Sequence, residues 1–269
     1  MEYVTAAGVD VPALGFGTWP MTGTTCRSAV QHALQTGYRH VDTAQMYDNE
    51  AAVGAAIADS EVPRADVFLV TKVRRQNLAR DDVLRSVEES ARELGTGIDL
   101  LLIHAPSRSV PIEESVGAMN ELQERGVVEH IGVSNFSVDQ LRRAIAASET
   151  PVLTNQVEYH PFESRPDLLE CCIENGVVLT AYSPLAQGKV VGNEVLAEIG
   201  ATYGKTAAQV ALRWLIQQEL VAAIPKASSR SHIEENVDVF DFELDDEEME
   251  RVFEMGGGLR SRLRSLLGL

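Results

Sequence analysis

The sequence predicts an α/β fold, a (β/α)8 TIM barrel whose bottom is closed by an N-terminal β-hairpin. Short apolar runs alternate with amphipathic helical stretches, and there are eight such runs. The chain has 269 residues, and one barrel of this kind needs about 250. No Pro-, Gly- or Ser-rich linker divides the chain, so we expect residues 1–269 to form a single barrel domain.

The elements are predicted in order along the chain. Residues 3–12 form the hairpin, with Gly8 in the turn and Pro12 at its end. The eight strands are predicted at residues 14–17, 40–42, 67–72, 100–104, 130–133, 155–158, 177–182 and 222–224. Helices lie between them, for example at 25–35, 80–94 and 112–125. Asn49 is placed to cap the helix that contains the Ala-rich run 51–58.

Polar or aromatic residues follow each predicted strand at its carboxyl end. They are Thr18, Trp19, Asp42, Lys72, His104, Ser134, Asn135, Gln156, Glu158, Tyr182, Ser183 and Lys226. A barrel of parallel strands gathers these ends on one rim, where the active sites of such barrels lie. The sequence therefore predicts a functional site at this rim.

Three of these rim positions, together with Tyr47 in the loop after the second strand, suggest acid–base chemistry. A buried Lys72 stays charged only if it is paired, and Asp42 on the neighbouring strand is the expected partner. We expect the cation to lower the pKa of Tyr47 from about 10, which makes a better proton donor. With His104 as a second donor, such a site suits protonation of a carbonyl oxygen. Singly, each residue has a structural alternative, whereas the four together favour function.

Composition excludes several classes of protein. The net charge is −17, with 40 acidic and 23 basic residues, and this argues against a nucleic-acid partner. Four of the basic residues are Lys, so 23 − 4 = 19 are Arg. This acid-rich, lysine-poor composition resembles that of proteins from salt-loving organisms. An acidic cytosolic protein is the other interpretation.

Cysteine and hydropathy patterns point to a cytoplasmic protein without a structural metal. The three cysteines, two of them adjacent, form neither a disulfide framework nor a zinc motif, and the six histidines lack metal-ligand spacing. No apolar run approaches 18 residues, and the N-terminus lacks a signal-peptide pattern, so we expect no membrane segment. No Gly-x-Gly-x-x-Gly follows a strand, so a Rossmann site is not expected.

Nearly the whole chain resembles the aldo-keto reductases. The stretch 37–50 contains Gly-Tyr-Arg-His-Val-Asp-Thr-Ala and then Tyr47, which is similar to the signature of that family. The other matching blocks are residues 14–18, 70–72, 102–104, 131–136, 155–161, 181–185, 224–226 and 239–242.

The resemblance implies a catalytic tetrad and a cofactor. Asp42, Tyr47, Lys72 and His104 would form the tetrad, with Tyr47 as the proton donor, and Trp19 would help to hold the substrate. The implied cofactor is NADP(H), with NAD(H) as a second possibility. In the resemblance, Ser134, Asn135 and Gln156 hold the nicotinamide carboxamide, Tyr182 stacks on its ring, Lys226 contacts the 2′-phosphate, and Glu235 and Asn236 contact the adenine. The remaining implied cofactor contacts are Thr18, Trp19, Asp42, Ser183, Leu185, Ala227, Ser228, Arg230 and His232.

Several positions depart from the family pattern. Ala105 stands where many members have Trp, and the loop 107–111 is short, so we expect an open pocket in which Trp19 is the remaining large wall. His232 stands where the family usually has an Arg that grips the 2′-phosphate, so we expect only a modest preference for NADPH over NADH. We expect a turn at 256–258, and the basic tail 259–264 is interpreted as a surface helix.

The function predicted from these observations is NADPH-dependent reduction of aldehydes, ketones or keto-sugars to alcohols. The expected partner is a small carbonyl compound, without nucleic acid or membrane, and the resemblance implies a monomer. One alternative is a non-catalytic NADP(H)-sensing subunit on the same fold, against which the intact tetrad argues. Another is an unrelated barrel hydrolase that uses Asp42 and His104, but it lacks an evident nucleophile or metal site.

Overall fold

The chain begins with a β-hairpin. In the computed structural model, which describes residues 1–257, strands β1 (Tyr3–Ala6) and β2 (Val9–Pro12) pair antiparallel. Gly8 has a φ of 79°, a left-handed conformation that glycine adopts without steric cost. The predicted hairpin and its turn are confirmed.

Eight further strands form one parallel sheet in sequence order. They are β3 (Phe16–Gly17), β4 (His40–Asp42), β5 (Phe68–Val73), β6 (Ile98–Ile103), β7 (Val128–Ser134), β8 (Val152–Glu158), β9 (Val178–Tyr182) and β10 (Val221–Ala223). The sheet closes on itself because Leu14 bridges Ala223 in parallel and the Gly17 amide donates to the Pro225 carbonyl at 3.0 Å. The predicted (β/α)8 barrel is confirmed.

Helices connect the strands. They are α1 (Gly23–Gln35), α2 (Glu50–Ala58), α3 (Arg80–Leu94), α4 (Ile112–Glu124), α5 (Val138–Ala147), α6 (Pro166–Glu174), α7 (Glu194–Tyr203), α8 (Ala207–Ile216), α9 (Arg230–Val237) and α10 (Asp246–Met255). The bounds of α3 match the prediction, and the loop before α4 is short, as expected. Within residues 1–257, no helix is both long and apolar enough to span a membrane.

The hairpin seals the amino-terminal end of the barrel. Ala6 and Val11 belong to a buried apolar cluster with strand residues such as Val70, Leu100 and Val178. These strand residues precede the polar strand ends in sequence, so the cluster fills the bottom of the barrel. The opposite, carboxyl-terminal rim is left for polar side chains.

Asn49 and the glycine run 256–258 are two places where the sequence predicted local structure. Asn49 occupies the N-cap position of α2 but makes no capping hydrogen bond, so that prediction is wrong. Its side chain instead accepts from the Thr43 hydroxyl at 2.5 Å and donates to the Met21 carbonyl at 2.8 Å. Gly256 and Gly257 form a turn, as expected, whereas Gly258 and the basic tail 259–264 lie outside the described residues.

Candidate active site

A pocket of about 420 Å³ opens at the carboxyl-terminal rim of the barrel. It is lined by Gly17, Thr18, Trp19, Asp42, Met46, Tyr47, His104, Ser134, Asn135, Gln156, Glu158, Tyr182, Ser183, Pro184, Gln187, Ile224 and Lys226. All of the predicted rim residues line it except Lys72, which lies beneath its floor. The strand-end pattern therefore located the pocket.

Lys72 is a fully buried cation with three hydrogen-bond partners. Its Nζ donates to Asp42 Oδ1 at 2.5 Å, to the Thr43 carbonyl at 2.9 Å and to the Tyr47 hydroxyl at 3.2 Å. A lysine ammonium has three donors, so all are satisfied. Burial lowers the Lys72 pKa, but Asp42 and Tyr47 more than offset this, and the pKa lies above its ordinary value. The predicted Asp42–Lys72 pair is confirmed.

Asp42 joins the two sides of the pocket. One carboxylate oxygen accepts from Lys72, and the other accepts from the Gln156 side-chain amide at 2.7 Å. The Asp42 backbone carbonyl also accepts from the Thr18 hydroxyl at 2.9 Å. Both oxygens of the buried carboxylate therefore have partners, as a buried charge requires.

Tyr47 lies half-buried on a 3₁₀ turn, Gln45–Tyr47, between β4 and α2. Burial raises the pKa of its hydroxyl above the ordinary value, and the nearby Lys72 cation only partly counteracts this. Lys72 therefore lowers the Tyr47 pKa as predicted, but the expected net lowering from the ordinary value is wrong, because desolvation of the phenolate outweighs the cation. The phenol is consequently protonated throughout the neutral range.

His104 follows β6 directly and faces Tyr47. The two ring centroids are 5.7 Å apart and the rings meet edge to face. Burial, aided by the Lys72 charge, lowers the His104 pKa from 6.5 to about 4, so the imidazole is neutral at pH 7. Its Nδ1 is buried without a partner among the described residues, and this leaves Nε2 as the nitrogen available to a bound molecule.

The ends of β7 and β9 meet across the pocket. The Asn135 amide nitrogen donates to the His104 carbonyl at 2.9 Å and to the Ser134 hydroxyl at 3.1 Å, and the Tyr182 hydroxyl donates to Asn135 Oδ1 at 2.9 Å. Asn135 has a φ of 61°, a left-handed conformation that Asn tolerates. The Ser134 hydroxyl donates to the Gln156 carbonyl at 2.8 Å. The predicted nicotinamide-binding residues are thus neighbours.

The predicted adenosine contacts lie farther along the rim. Lys226 lines the main pocket, whereas Ser228 and Arg230 line a second cavity of about 320 Å³ between α1 and α9. His232 is exposed on the first turn of α9, where Ser229 caps the helix by accepting from the His232 amide. Glu235 accepts from the Thr206 hydroxyl at 2.7 Å. Ala227 and Asn236 are buried, and Leu185 is half-buried outside the main pocket.

Sequence reasoning missed several residues of the pocket wall. Met46 is 55% exposed beside Trp19, which is 59% exposed, and both line the mouth. Pro184, Gln187 and Ile224 also line the pocket. Their adjacency to predicted residues was the available signal, since Met46 directly precedes Tyr47 and Ile224 lies two residues before Lys226. Within residues 1–257, no group of three or more His, Cys, Asp or Glu side chains is arranged to hold a metal ion.

The arrangement combines a neutral phenol, a fixed cation beside it and a neutral imidazole at one pocket wall. A phenol next to an ammonium can release a proton because the phenolate it leaves is stabilised by the cation. The imidazole N–H can donate to the same acceptor atom. Together they can stabilise negative charge that develops on an oxygen in the pocket.

Known proteins share this fold and much of this sequence. The model of the Aldo/keto reductase family matches residues 13–256. Methylglyoxal reductase DkgB of Escherichia coli O157:H7 is 39% identical over 246 residues, which cover 90% of this chain and 92% of that protein. The chain therefore belongs to the aldo/keto reductase family. It is an oxidoreductase of a family that uses nicotinamide cofactors and reduces carbonyl groups.

Solved structures agree with this membership. The crystal structure of a protein provisionally assigned as a 2,5-diketo-D-gluconic acid reductase B is 48% identical, with a TM-score of 0.93, and the match covers 95% of this chain and 91% of that one. An aldo-keto reductase complexed with NADPH is 32% identical, with a TM-score of 0.89 and coverage of 96% and 89%.

Proposed function

We propose that this chain reduces small aldehydes, ketones or keto-sugars to alcohols with NADPH, and that Tyr47 is the proton donor. The observation that carries the proposal is the contact at 3.2 Å between the Tyr47 hydroxyl and the buried Lys72 ammonium, within a pocket that His104 also lines. This geometry suits protonation of a carbonyl oxygen. A hydrolase would need a nucleophile or a metal instead.

The residues of the chain supply the proton half of the reduction. A nicotinamide bound at the rim would supply the hydride for the carbonyl carbon. Tyr47 transfers its proton to the carbonyl oxygen, and the neutral His104 donates its Nε2–H to the same oxygen while charge develops there. Lys72 stabilises the phenolate that remains on Tyr47, and Asp42 keeps Lys72 charged. Solvent then returns a proton to the phenolate.

The rim fits a nicotinamide cofactor. The half-buried Tyr182 ring offers an aromatic face, and the amides of Asn135 and Gln156 lie beside it as hydrogen-bonding groups. Lys226, Arg230 and the N-terminus of α9 offer positive charge for a 2′-phosphate. His232 lacks the guanidinium fork with which an arginine binds a phosphate, so we propose NADP(H) as the preferred cofactor by a modest margin, with NAD(H) second.

The substrate class follows from an open pocket. Ala105 leaves the wall beyond His104 without a large side chain, and Trp19 and Met46 form a partly apolar mouth. Relatives are named for the reduction of methylglyoxal and of 2,5-diketo-D-gluconic acid. We therefore propose small dicarbonyls and keto-sugars as substrates of a cytoplasmic, monomeric enzyme that binds neither nucleic acid nor membranes.

Loss of absorbance at the NADPH band in the presence of a carbonyl panel tests this function. The panel contains methylglyoxal, a simple aromatic aldehyde, a simple ketone and a keto-sugar acid. Turnover of at least one compound that depends on enzyme concentration is expected. Tight NADPH binding without turnover of any member would favour the non-catalytic sensor and overturn the proposal.

A further inference from the structure

The turn that carries Tyr47 is held by the residue that follows the strand of Lys72. Arg74 comes directly after β5, and its backbone N–H donates to Gln45 Oε1 at 3.0 Å. Its guanidinium donates to the Gln45 backbone carbonyl and to Asp48 Oδ1. Since the 3₁₀ turn spans Gln45–Tyr47, Arg74 contacts both the first residue of the turn and the residue that ends it.

Gln45 is locked into this arrangement from behind. Its side chain is buried, its amide nitrogen donates to Ser90 Oγ at 3.2 Å, and its oxygen also accepts from Asn77 Nδ2 at 3.3 Å. Ser90 Oγ in turn donates to the buried Glu50 carboxylate at 3.1 Å. Both ends of the Gln45 amide are therefore engaged, and the turn has one orientation relative to β5.

Asp48 shows why the turn needs support from outside. Its φ of 51° lies in the left-handed region, which is unfavourable for residues other than glycine and only partly tolerated by Asp. The Arg74 guanidinium holds the Asp48 side chain in that conformation. Because Asp48 directly follows Tyr47, this ion pair restrains the end of the turn, and at such an exposed site it adds to the buried Gln45 contacts and does not replace them.

We propose that Arg74 is a positioning residue for proton transfer, because its clamp on Gln45 and Asp48 keeps the Tyr47 hydroxyl against the Lys72 ammonium. Arg74 does not line the main pocket and does not touch the reacting atoms. The 3.2 Å contact joins two different elements, so its length depends on how the turn docks on β5. This inference rests on the proposed role of Tyr47 as proton donor.

The clamp has a consequence for acidity. The groups that face the Tyr47 hydroxyl are Lys72 from β5, Asp42 from β4, His104 after β6 and Tyr182 at the end of β9. Among these groups Lys72 lowers the pKa of Tyr47, whereas burial and Asp42 raise it. If the turn drifts away from Lys72 while the ring stays buried, the pKa rises because the cation no longer offsets desolvation, and the phenol becomes a weaker acid.

The test substitutes Arg74→Leu and measures carbonyl reduction over a range of pH. Reduction needs protonated Tyr47, so activity is lost as pH rises through the Tyr47 pKa. We expect kcat to fall about tenfold, a part of the total effect of a general acid, with KM for the carbonyl little changed. We also expect the alkaline limb of the kcat profile to move up by about 1 pH unit, as loss of a neighbouring opposite charge predicts. Arg74→Lys should recover part of the lost kcat and bring the alkaline limb part of the way back to its parent position.

The neighbouring arginine provides a matched control. Arg75 is exposed, and its guanidinium makes no hydrogen bond or ion pair within residues 1–257. Arg75→Leu removes the same side chain one residue later, so kcat and its pH profile should stay at the parent values.

Asp48→Gly is the second test variant. Glycine accepts the left-handed backbone, so the fold is retained while the carboxylate partner of Arg74 is lost. The alkaline limb of its kcat profile should move in the same direction as that of Arg74→Leu, by a smaller amount.

Two results would overturn the inference. One is that Arg74→Leu and Asp48→Gly both keep the kcat of the parent and the position of its alkaline limb. The other is a lower kcat with an unmoved limb, because a purely structural contact changes the active fraction and not the acidity. Tyr47→Phe, run alongside, separates the two proposals: retained activity there defeats the assigned donor itself, whereas an inactive Tyr47→Phe with an unaffected Arg74→Leu defeats only the clamp.

Discussion

The ammonium of Lys72 shows how a single buried charge organises the site. It has no exposed surface, and its three donors go to Asp42, to the Thr43 carbonyl and to Tyr47. Asp42 thus depends on Lys72 for neutralisation as much as Lys72 depends on Asp42. Removing either partner alone leaves an uncompensated charge in the barrel.

We therefore expect Lys72→Met to destabilise the fold by about 3–5 kcal/mol, the usual cost of leaving a buried charge unpaired. The control is the double variant Asp42→Asn, Lys72→Met, which removes both charges and should recover a large part of this loss. Urea unfolding of the three proteins measures the difference. A Lys72→Met variant as stable as the parent would show that Asp42 is adequately satisfied by Gln156 alone.

The pKa of His104 is shifted downward, whereas that of Lys72 is shifted upward. Burial and the Lys72 charge lower its pKa from 6.5 to about 4, so the folded protein binds the proton less readily than the unfolded chain does. The stability from this group is complete above pH 6.5 and is lost as pH falls towards 4. NMR titration of the imidazole should give a midpoint near 4, and a midpoint at or above 6.5 would contradict this account.

At the scale of elements, helix α9 is where we propose that the cofactor phosphate binds. Its first turn contains Arg230 and His232, and the Ser229 hydroxyl is used as the helix cap. A helix N-terminus attracts an anion, but the His232 imidazole lacks the two-pronged hydrogen bonding of arginine. The phosphate contact is therefore expected to be weaker than an arginine would provide.

His232→Arg should accordingly strengthen NADPH binding and leave NADH binding nearly unchanged. Fluorescence titration of the parent and the variant with both cofactors measures this. Unchanged NADPH affinity in His232→Arg would place this position outside the phosphate site and leave the role to Arg230.

The elements themselves were largely predictable, because each strand of the barrel is an apolar run with a polar or aromatic residue at or near its carboxyl end. Their bounds were less so: β8 begins at Val152, ahead of the predicted 155, since the hydroxyl of Thr154 is satisfied inside the barrel by the Val178 carbonyl at 2.7 Å. Asn49 is of a residue type that often caps helices, but its side chain is hydrogen-bonded to Thr43 and Met21 instead.

The pocket was predictable in composition and not in energetics. The identity and spacing of Asp42, Lys72 and His104 predicted that they lie on one rim. The direction in which the Tyr47 pKa shifts, however, depends on how completely the phenol is buried. That is a property of the packed structure. The contacts of Arg74 with Gln45 likewise join residues 29 apart in sequence, and no local pattern marks them. The predicted roles of the cofactor residues and the single-domain organisation stay predictions.

At the scale of the whole molecule, the net charge of −17 should make stability depend on salt. The repulsion between surface carboxylates is screened over about 30 Å at 0.01 M salt and about 3 Å at 1 M. If the acidic surface is an adaptation to salt, the melting temperature and activity should rise well into the molar range of KCl. Thermal melts at about 0.1 M and 2 M KCl test this, and a lower melting temperature at the higher concentration would argue against a halophilic origin.

We propose that Tyr47 protonates the substrate, and the substitution Tyr47→Phe tests this role. The substitution keeps the ring and removes the hydroxyl, and Tyr3→Phe, on an exposed residue of the hairpin, is the control. Single-turnover reduction with NADPH measures the chemical step, and fluorescence titration measures cofactor binding. We predict a loss of about 10²-fold or more in rate with NADPH binding retained, while Tyr3→Phe behaves as the parent. A Tyr47→Phe rate within a few-fold of the parent would contradict the claim.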